Sequence, residues 1–168
     1  MEAILSLGSN LGDRLANLLA AGEALAAIPT IRIVARAPIY ETDPVDVPDR
    51  FHDTRFLNTI LAVETDLPPE TLAEVIHAVE ARLGRRRGPT RHVPREIDID
   101  LIVCGGARRD TPELRLPHPE AARRRFVLQP LADIRPDLIL PGHALAVRDL
   151  LARLPQTPAV ALAEEQWA

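Results

Sequence analysis

The chain has 168 residues, 46% hydrophobic and 26% charged, a balance that belongs to a globular protein and excludes disordered or fibrous classes. A net charge of −4 gives no global attraction to nucleic acid or to an anionic membrane, so neither is expected as a partner, and a single Cys, Cys104, excludes an internal disulfide. No signal-like segment opens the chain and no apolar run reaches about 18 residues, so a cytoplasmic protein with one domain over residues 1–168 is expected.

Glu2 to Leu7 reads as a first strand, and Gly8-Ser9-Asn10-Leu11-Gly12-Asp13 as a tight turn. Leu15, Leu18, Leu19, Leu25 and Ile28 then recur near helical spacing among many Ala, which predicts a helix over 14–28 with Asp13 as its N-cap. Ile31 to Tyr40 reads as one strand. The stretch 41–55 carries Pro44, Pro48 and several Asp without periodicity, so it reads as a long loop, and such loops are usually functional. Phe56 to Glu64 is a third strand. Pro68-Pro69 and Gly84 bracket a second helix with the usual Pro-start and Gly-stop asymmetry. An Arg-rich loop over 84–94 leads to a strand through Val103. Beyond it the pattern predicts short strands at 113–116, 138–140 and 159–162, and helices at 120–123, 127–134 and 146–154. This order is that of an α/β (α+β) sandwich with a ferredoxin-like βαββαβ core. An antiparallel or mixed sheet would carry both helices on one face and leave the other open.

The strand Arg95-Glu96-Ile97-Asp98-Ile99-Asp100-Leu101 carries the chemistry. Alternation puts Ile97, Ile99 and Leu101 on one face and Asp98 with Asp100 on the other, their Cα atoms about 6.6 Å apart. Two such carboxylates repel unless a cation lies between them, and Asp is disfavoured in strands, so the pair needs a reason. Immediately upstream stand Arg85, Arg86, Arg87, Arg91 and Arg95. Acids that hold Mg²⁺ beside guanidiniums that hold phosphate are the ingredients of phosphoryl transfer. All 20 basic residues are Arg, which a genome-wide compositional bias explains better than phosphate binding does.

Other residues read more plainly when taken singly. Gly8-Ser9-Asn10 lacks the Lys and further Gly of a phosphate cradle and reads as a strand–helix turn. Phe56 and Asn58 share a strand face and offer a stacking plane beside a donor–acceptor pair, yet by themselves read as a core Phe and a surface Asn. Phe126 after Arg123-Arg124-Arg125 reads as a core anchor, His118 between two prolines as structural, and Cys104 as a small core residue.

In series these residues say more. Gly8-Ser9-Asn10-Leu11-Gly12-Asp13, Tyr40-Glu41-Thr42 with Pro44, Phe56-Leu57-Asn58, Pro94-Arg95 with Ile97-Asp98-Ile99-Asp100-Leu101, and Pro117-His118 together resemble the 6-hydroxymethyl-7,8-dihydropterin pyrophosphokinases of folate biosynthesis, from about residue 3 to 150. The resemblance implies transfer of diphosphate from ATP to the pterin hydroxymethyl group, releasing AMP. It implies Asp98 and Asp100 as ligands of two Mg²⁺ ions, and Arg85, Arg95, Asp98 and Asp100 as the catalytic group. It implies ATP contacts from Arg85, Arg91, Arg95, Leu101, His118 and Arg124. The pterin contacts it implies are Thr42, Pro44, Val45, Phe56, Asn58 and Phe126, and a monomer is expected. Glu80 falls at an acidic position of the family pattern without an assigned role. His92-Val93 stand where the family usually has Trp and Gly, and Asp43 where it often has Pro. Two other readings of the residues stay open at this point: a nucleotide-sugar transferase using Asp98-Ile99-Asp100 as a metal motif, and a ferredoxin-like module that binds nucleotide without turnover.

Overall fold

The computed structural model describes residues 1–44, 49–51, 54–85, 94–164 and 167, with residue 51 described in its backbone only. In chain order, β1 (Glu2–Ser9) passes through a turn into α1 (Arg14–Ala26), followed by β2 (Ile31–Arg36), β3 (Ile39–Thr42) and β4 (Phe56–Thr65). Then come α2 (Pro69–Arg82), β5 (Asp98–Cys104) and a two-stranded ribbon of β6 (Arg109–Asp110) with β7 (Arg115–Leu116). α3 (Arg125–Ile134), α4 (Val147–Arg153) and β8 (Val160–Glu164) complete the described α-helices and strands, with short 3₁₀ turns at Asp49–Phe51 and Ala121–Arg123.

All described strand pairs are antiparallel, in the order β5-β1-β4-β3-β8 with β2 also on β4. The expected single strand over 31–40 is two strands. β2 pairs with residues 61–65 of β4 and β3 with residues 56–58 of the same strand. The break falls at Ala37-Pro38, where Pro supplies no N–H to a ladder. Buried Thr59 occupies it, its hydroxyl donating to the carbonyls of Ala37 and Pro38 at 3.0 and 3.2 Å.

Alternation along the strands feeds two apolar cores. Ala3, Leu5 and Leu7 of β1, Leu61 and Val63 of β4, and Ile99 of β5 meet Leu18 and Leu25 of α1 with Leu72, Ile76 and Val79 of α2. Each fully buried Leu or Ile here contributes about 1.5–3 kcal/mol. Asp13 caps α1 as expected, its carboxylate accepting from the Ala16 N–H at 3.0 Å, and Pro69 opens α2. The other face departs from the expectation of an open sheet. Ile4, Ile60, Ala62 and Ile102 are covered by Val127, Leu128 and Leu131 of α3 and by Val147 of α4. Residues 121–123 form a 3₁₀ turn, and the expected strand at 138–140 is a single bridge between Ile139 and Ala146.

Candidate active site

The face under α3 and α4 changes character along its length. On β1 it runs Ile4, Ser6, Gly8; on β4, Ala62, Ile60, Asn58, Phe56; on β5, Ile102, Asp100, Asp98. The apolar ends lie under the helices. At the polar ends, Gly8 pairs with Asn58 on one side and Asp98 on the other, while Ser6 pairs with Asp100. β1 and β5 thus turn polar at Ser6 and Asp100, and β4 one pair later at Asn58, which makes a chemically equipped floor.

Walls rise around it. Thr42 and Asp43 come from the end of β3, Arg85 from just past α2, Arg95 from ahead of β5, and Arg124 with Phe126 from the start of α3. Together they enclose a cavity of about 240 Å³. Asn58 is buried and donates through Nδ2 to the Thr42 hydroxyl at 2.6 Å, so it is not the surface residue its sequence context predicts. Phe56 joins neither apolar core and faces the cavity. Phe126 packs on the second core while lining the cavity, with the Arg124 guanidinium 5.6 Å from its ring centroid. Gly8 is required by space: a Cβ there would stand 2.7 Å from Asn58 Oδ1.

The charges form a chain. Arg85 is ion-paired with both Glu80 and Asp98, and Arg95 Nη2 lies 3.1 Å from Asp98 Oδ2. Burial works against the Arg85 charge, but Asp98 and Glu80 outweigh it and hold its pKa above the ordinary value. Asp100 is the strained member. Burial first, then the charges of Asp98 and Glu80, push its carboxyl up to about 7, against the partial pull of Arg95 and Arg124. Such a carboxylate favours a cation beside it. Among the described residues no group of three or more His, Cys, Asp or Glu is placed to hold a metal ion. Asp98 and Asp100, side by side on one strand face, are the carboxylates that could hold a hard divalent ion.

A second cavity, of about 220 Å³, lies on the other side of Asp100. Leu101 and His118 line it, with Ile76 and His77 of α2 and Glu113 to Arg115 before and within β7. The His118 Nδ1 accepts from the Glu120 N–H at 3.2 Å, which leaves the proton of the neutral ring on Nε2. Burial, then Arg124, lowers the His118 pKa and favours that neutral form. Asp100 lines both cavities.

Of the residues singled out from sequence, Arg85, Arg95, Asp98, Asp100, Arg124, Thr42, Phe56, Asn58 and Phe126 converge on the first cavity. Leu101 and His118 line the second. Pro44 is not among the residues lining either cavity, while Arg91 and Val45 lie outside the described residues, as do Arg86 and Arg87. Ser6, Gly8 and Asp43 were not anticipated as lining residues. For Ser6 and Gly8 the signal was available: they continue the alternation of a strand whose other inward positions are apolar. Glu80 was unassigned. It is 1% exposed, and its carboxylate also accepts from the Ile99 N–H at 2.7 Å.

The family described as 7,8-dihydro-6-hydroxymethylpterin-pyrophosphokinase matches residues 4–136. A protein of Methylorubrum extorquens named 2-amino-4-hydroxy-6-hydroxymethyldihydropteridine pyrophosphokinase is 47% identical over 153 residues, covering 91% of this chain and 93% of that protein. Its namesake from Pseudomonas aeruginosa is 40% identical over 151 residues, covering 89% and 90%. The folic acid synthesis protein fol1 of Schizosaccharomyces pombe is 33% identical over 153 residues, of which this chain spans only 20%. Among solved structures, Plasmodium falciparum HPPK-DHPS wild type with pteroate superposes with a TM-score of 0.70 at 16% identity, over 90% of this chain and 42% of that one. At that identity the superposition establishes the fold.

Proposed function

This chain belongs to the 7,8-dihydro-6-hydroxymethylpterin-pyrophosphokinase family, whose reaction is the pyrophosphokinase step of folate biosynthesis, and from that premise we propose how its own residues divide the work. The reaction moves diphosphate from ATP to the hydroxymethyl group of 6-hydroxymethyl-7,8-dihydropterin, giving the pterin diphosphate and AMP. Family membership removes the nucleotide-sugar transferase and the non-catalytic binding module as readings of the acidic pair.

One observation carries the assignment of roles: Asp100 lines two cavities, and Asp98 stands beside it on the same strand face. Two substrates seated in the two cavities would meet at the acidic pair. The first suits the pterin. Phe56 and Phe126 offer stacking planes, and Asn58 beside Thr42 offers partners for the edge of the heterocycle, while Pro44 and Val45 enter as pterin contacts on the family resemblance alone. The second suits the adenosine end of ATP, against Leu101 and the Nε2–H of His118. The phosphates would then run past Asp100 toward Arg85, Arg95 and Arg124, with Arg91 as a further contact.

Asp98 and Asp100 would hold two Mg²⁺ ions together with the triphosphate, and the ions would neutralise phosphate charge during transfer. Arg85 and Arg95, now paired with Asp98, would turn to the stronger demand of the phosphates. The pterin hydroxyl oxygen bonds to the β-phosphorus while the bond to the oxygen bridging the α and β positions breaks, so AMP leaves and the hydroxyl proton is released. Such a transfer needs in-line placement and charge stabilisation more than covalent help. We assign the whole of residues 1–168 to one catalytic domain, acting as a cytoplasmic monomer without nucleic-acid or membrane partners. Among the described residues no helix is long and apolar enough to cross a membrane.

The test is product identity. The protein with Mg²⁺, ATP and the pterin alcohol should release AMP and pterin diphosphate, and Asp98→Ala or Asp100→Ala should abolish this in a folded protein. ADP as the nucleotide product, or near-normal turnover in both variants at matched Mg²⁺, would overturn the assignment.

A further inference from the structure

The turn after β1 reaches across the molecule to the residue that opens the β5 segment. Asn10 is 5% exposed. Its Oδ1 accepts from the Arg95 N–H at 2.8 Å, and its own N–H donates to the Arg95 carbonyl at 3.2 Å. Both backbone hydrogen-bonding groups of Arg95 are therefore taken by one residue 85 positions away. Regular β1–β5 pairing ends at Gly8 and Asp98, so this bridge grips the chain three residues beyond the last paired position.

The gripping turn is itself braced. Asn17 Nδ2 donates to the Leu11 carbonyl at 2.9 Å and to the Ser9 hydroxyl at 3.3 Å. Ser9 is fully buried, and Asp13 ties the end of the turn to the first turn of α1. The Arg95 side chain is less restrained. Its Nη2 meets Asp98, while its buried Nε has no hydrogen-bond partner among the described residues. The side chain is thus held at its tip by Asp98 and at its root by the backbone that Asn10 grips.

We propose that Asn10 is a positioning residue for Arg95, holding its backbone so that the guanidinium enters the cavity beside Asp98. The proposal rests on the reading of Arg95 as a phosphate-contacting group. A short side chain ending in an acceptor is what the bridge demands. Asp retains that acceptor, Ala removes it, and Ser suits the turn but carries its oxygen on a shorter arm.

The experiment is a kinetic cycle on the full chain with Mg²⁺, ATP and the pterin alcohol. Arg95→Ala tests the underlying reading. Asn10→Ala, Asn10→Ser and Asn10→Asp test the positioning, each with its denaturation midpoint recorded. Misplacing a charge-stabilising group costs on the order of tenfold to a hundredfold in rate, so Asn10→Ala should lose that much kcat while the KM for pterin moves less than about twofold. Asn10→Asp should recover most of the loss, and Asn10→Ala should add little in the Arg95→Ala background. If Asn10→Ala does not fold, Asn10→Ser takes its place against Asn10→Asp. Wild-type kcat in the Ala and Ser variants, an equal loss in the Asp variant, or losses that multiply with Arg95→Ala would overturn the positioning role. Wild-type activity in Arg95→Ala would overturn the reading of Arg95 and the proposal with it.

Discussion

The fully buried carboxylate of Glu80 on α2 accepts a hydrogen bond from the backbone N–H of Ile99, the residue between the two aspartates, at 2.7 Å. The same carboxylate is ion-paired with Arg85, which in turn pairs with Asp98. One acid therefore fixes the strand under the acidic pair and one of the cations above it. Glu80→Ala leaves a buried N–H and a half-buried guanidinium without that partner. Breaking a buried pair from one side costs about 3–5 kcal/mol, so chemical denaturation should show a loss of that order. Glu80→Gln keeps an acceptor for Ile99 and should lose clearly less. Equal losses would assign the effect to the ion pair alone.

Asp100 makes the free enzyme's stability depend on pH. Its folded carboxyl is raised to about 7, against roughly 3.9 in an unfolded chain. Between these values the folded state holds a proton that the unfolded state has released, so stability falls as pH rises through the window and levels off above it. Asp100→Asn removes this penalty. In metal-free buffer its stabilisation over wild type should grow from pH 5 to pH 8, toward an upper bound of about 4 kcal/mol, while turnover is lost. A gain that is flat with pH would show that Asp100 is not the titrating group.

Phe56→Ala and Asn58→Ala should weaken pterin binding far more than ATP binding. Phe56 faces the first cavity and belongs to neither apolar core, and Asn58 is buried at its floor against Thr42. Aromatic stacking contributes about 0.5–1.5 kcal/mol beyond buried area, and an unpaired polar edge costs about 1–3 kcal/mol. Calorimetry with each ligand separately tests this, and equal losses for both ligands would return the two residues to a structural role.

Gly8→Ala adds a methyl group 2.7 Å from Asn58 Oδ1 and 3.8 Å from the Phe56 ring. Asn58 must turn away or the strands must part, and overpacking of this kind costs about 1–3 kcal/mol. We expect a measurable loss of stability and a pterin affinity reduced at least about tenfold, since each 1.4 kcal/mol is a factor of ten. ATP affinity should change little. Unchanged pterin affinity would mean that Asn58 takes no part in recognising the heterocycle.

What the sequence determined by itself is what depends on near neighbours. The two-residue period of a strand put Asp98 and Asp100 on one face and Ile97, Ile99 and Leu101 on the other, and the structure keeps that division. Local chemistry likewise set the Asp13 cap and the Pro69 start. The serial resemblance supplied the family because its residues stand in order along the chain. Tertiary structure decided whatever depends on pairing and docking across long separations. Strand register brought Gly8 between Asn58 and Asp98. β4 split the 31–42 stretch in two by pairing with both halves, around a Pro that cannot join a ladder. Docking of α3 and α4 closed the face expected to be open, confining the site to the polar ends of three strands. Asn58, read as a surface residue, is buried on the sheet against Thr42. Glu80 and Asn10 stand in the family pattern, but what they hold is not legible in sequence because their partners, Ile99 and Arg95, lie 19 and 85 residues away. A polar side chain shows its purpose only when the fold delivers the backbone group it must satisfy.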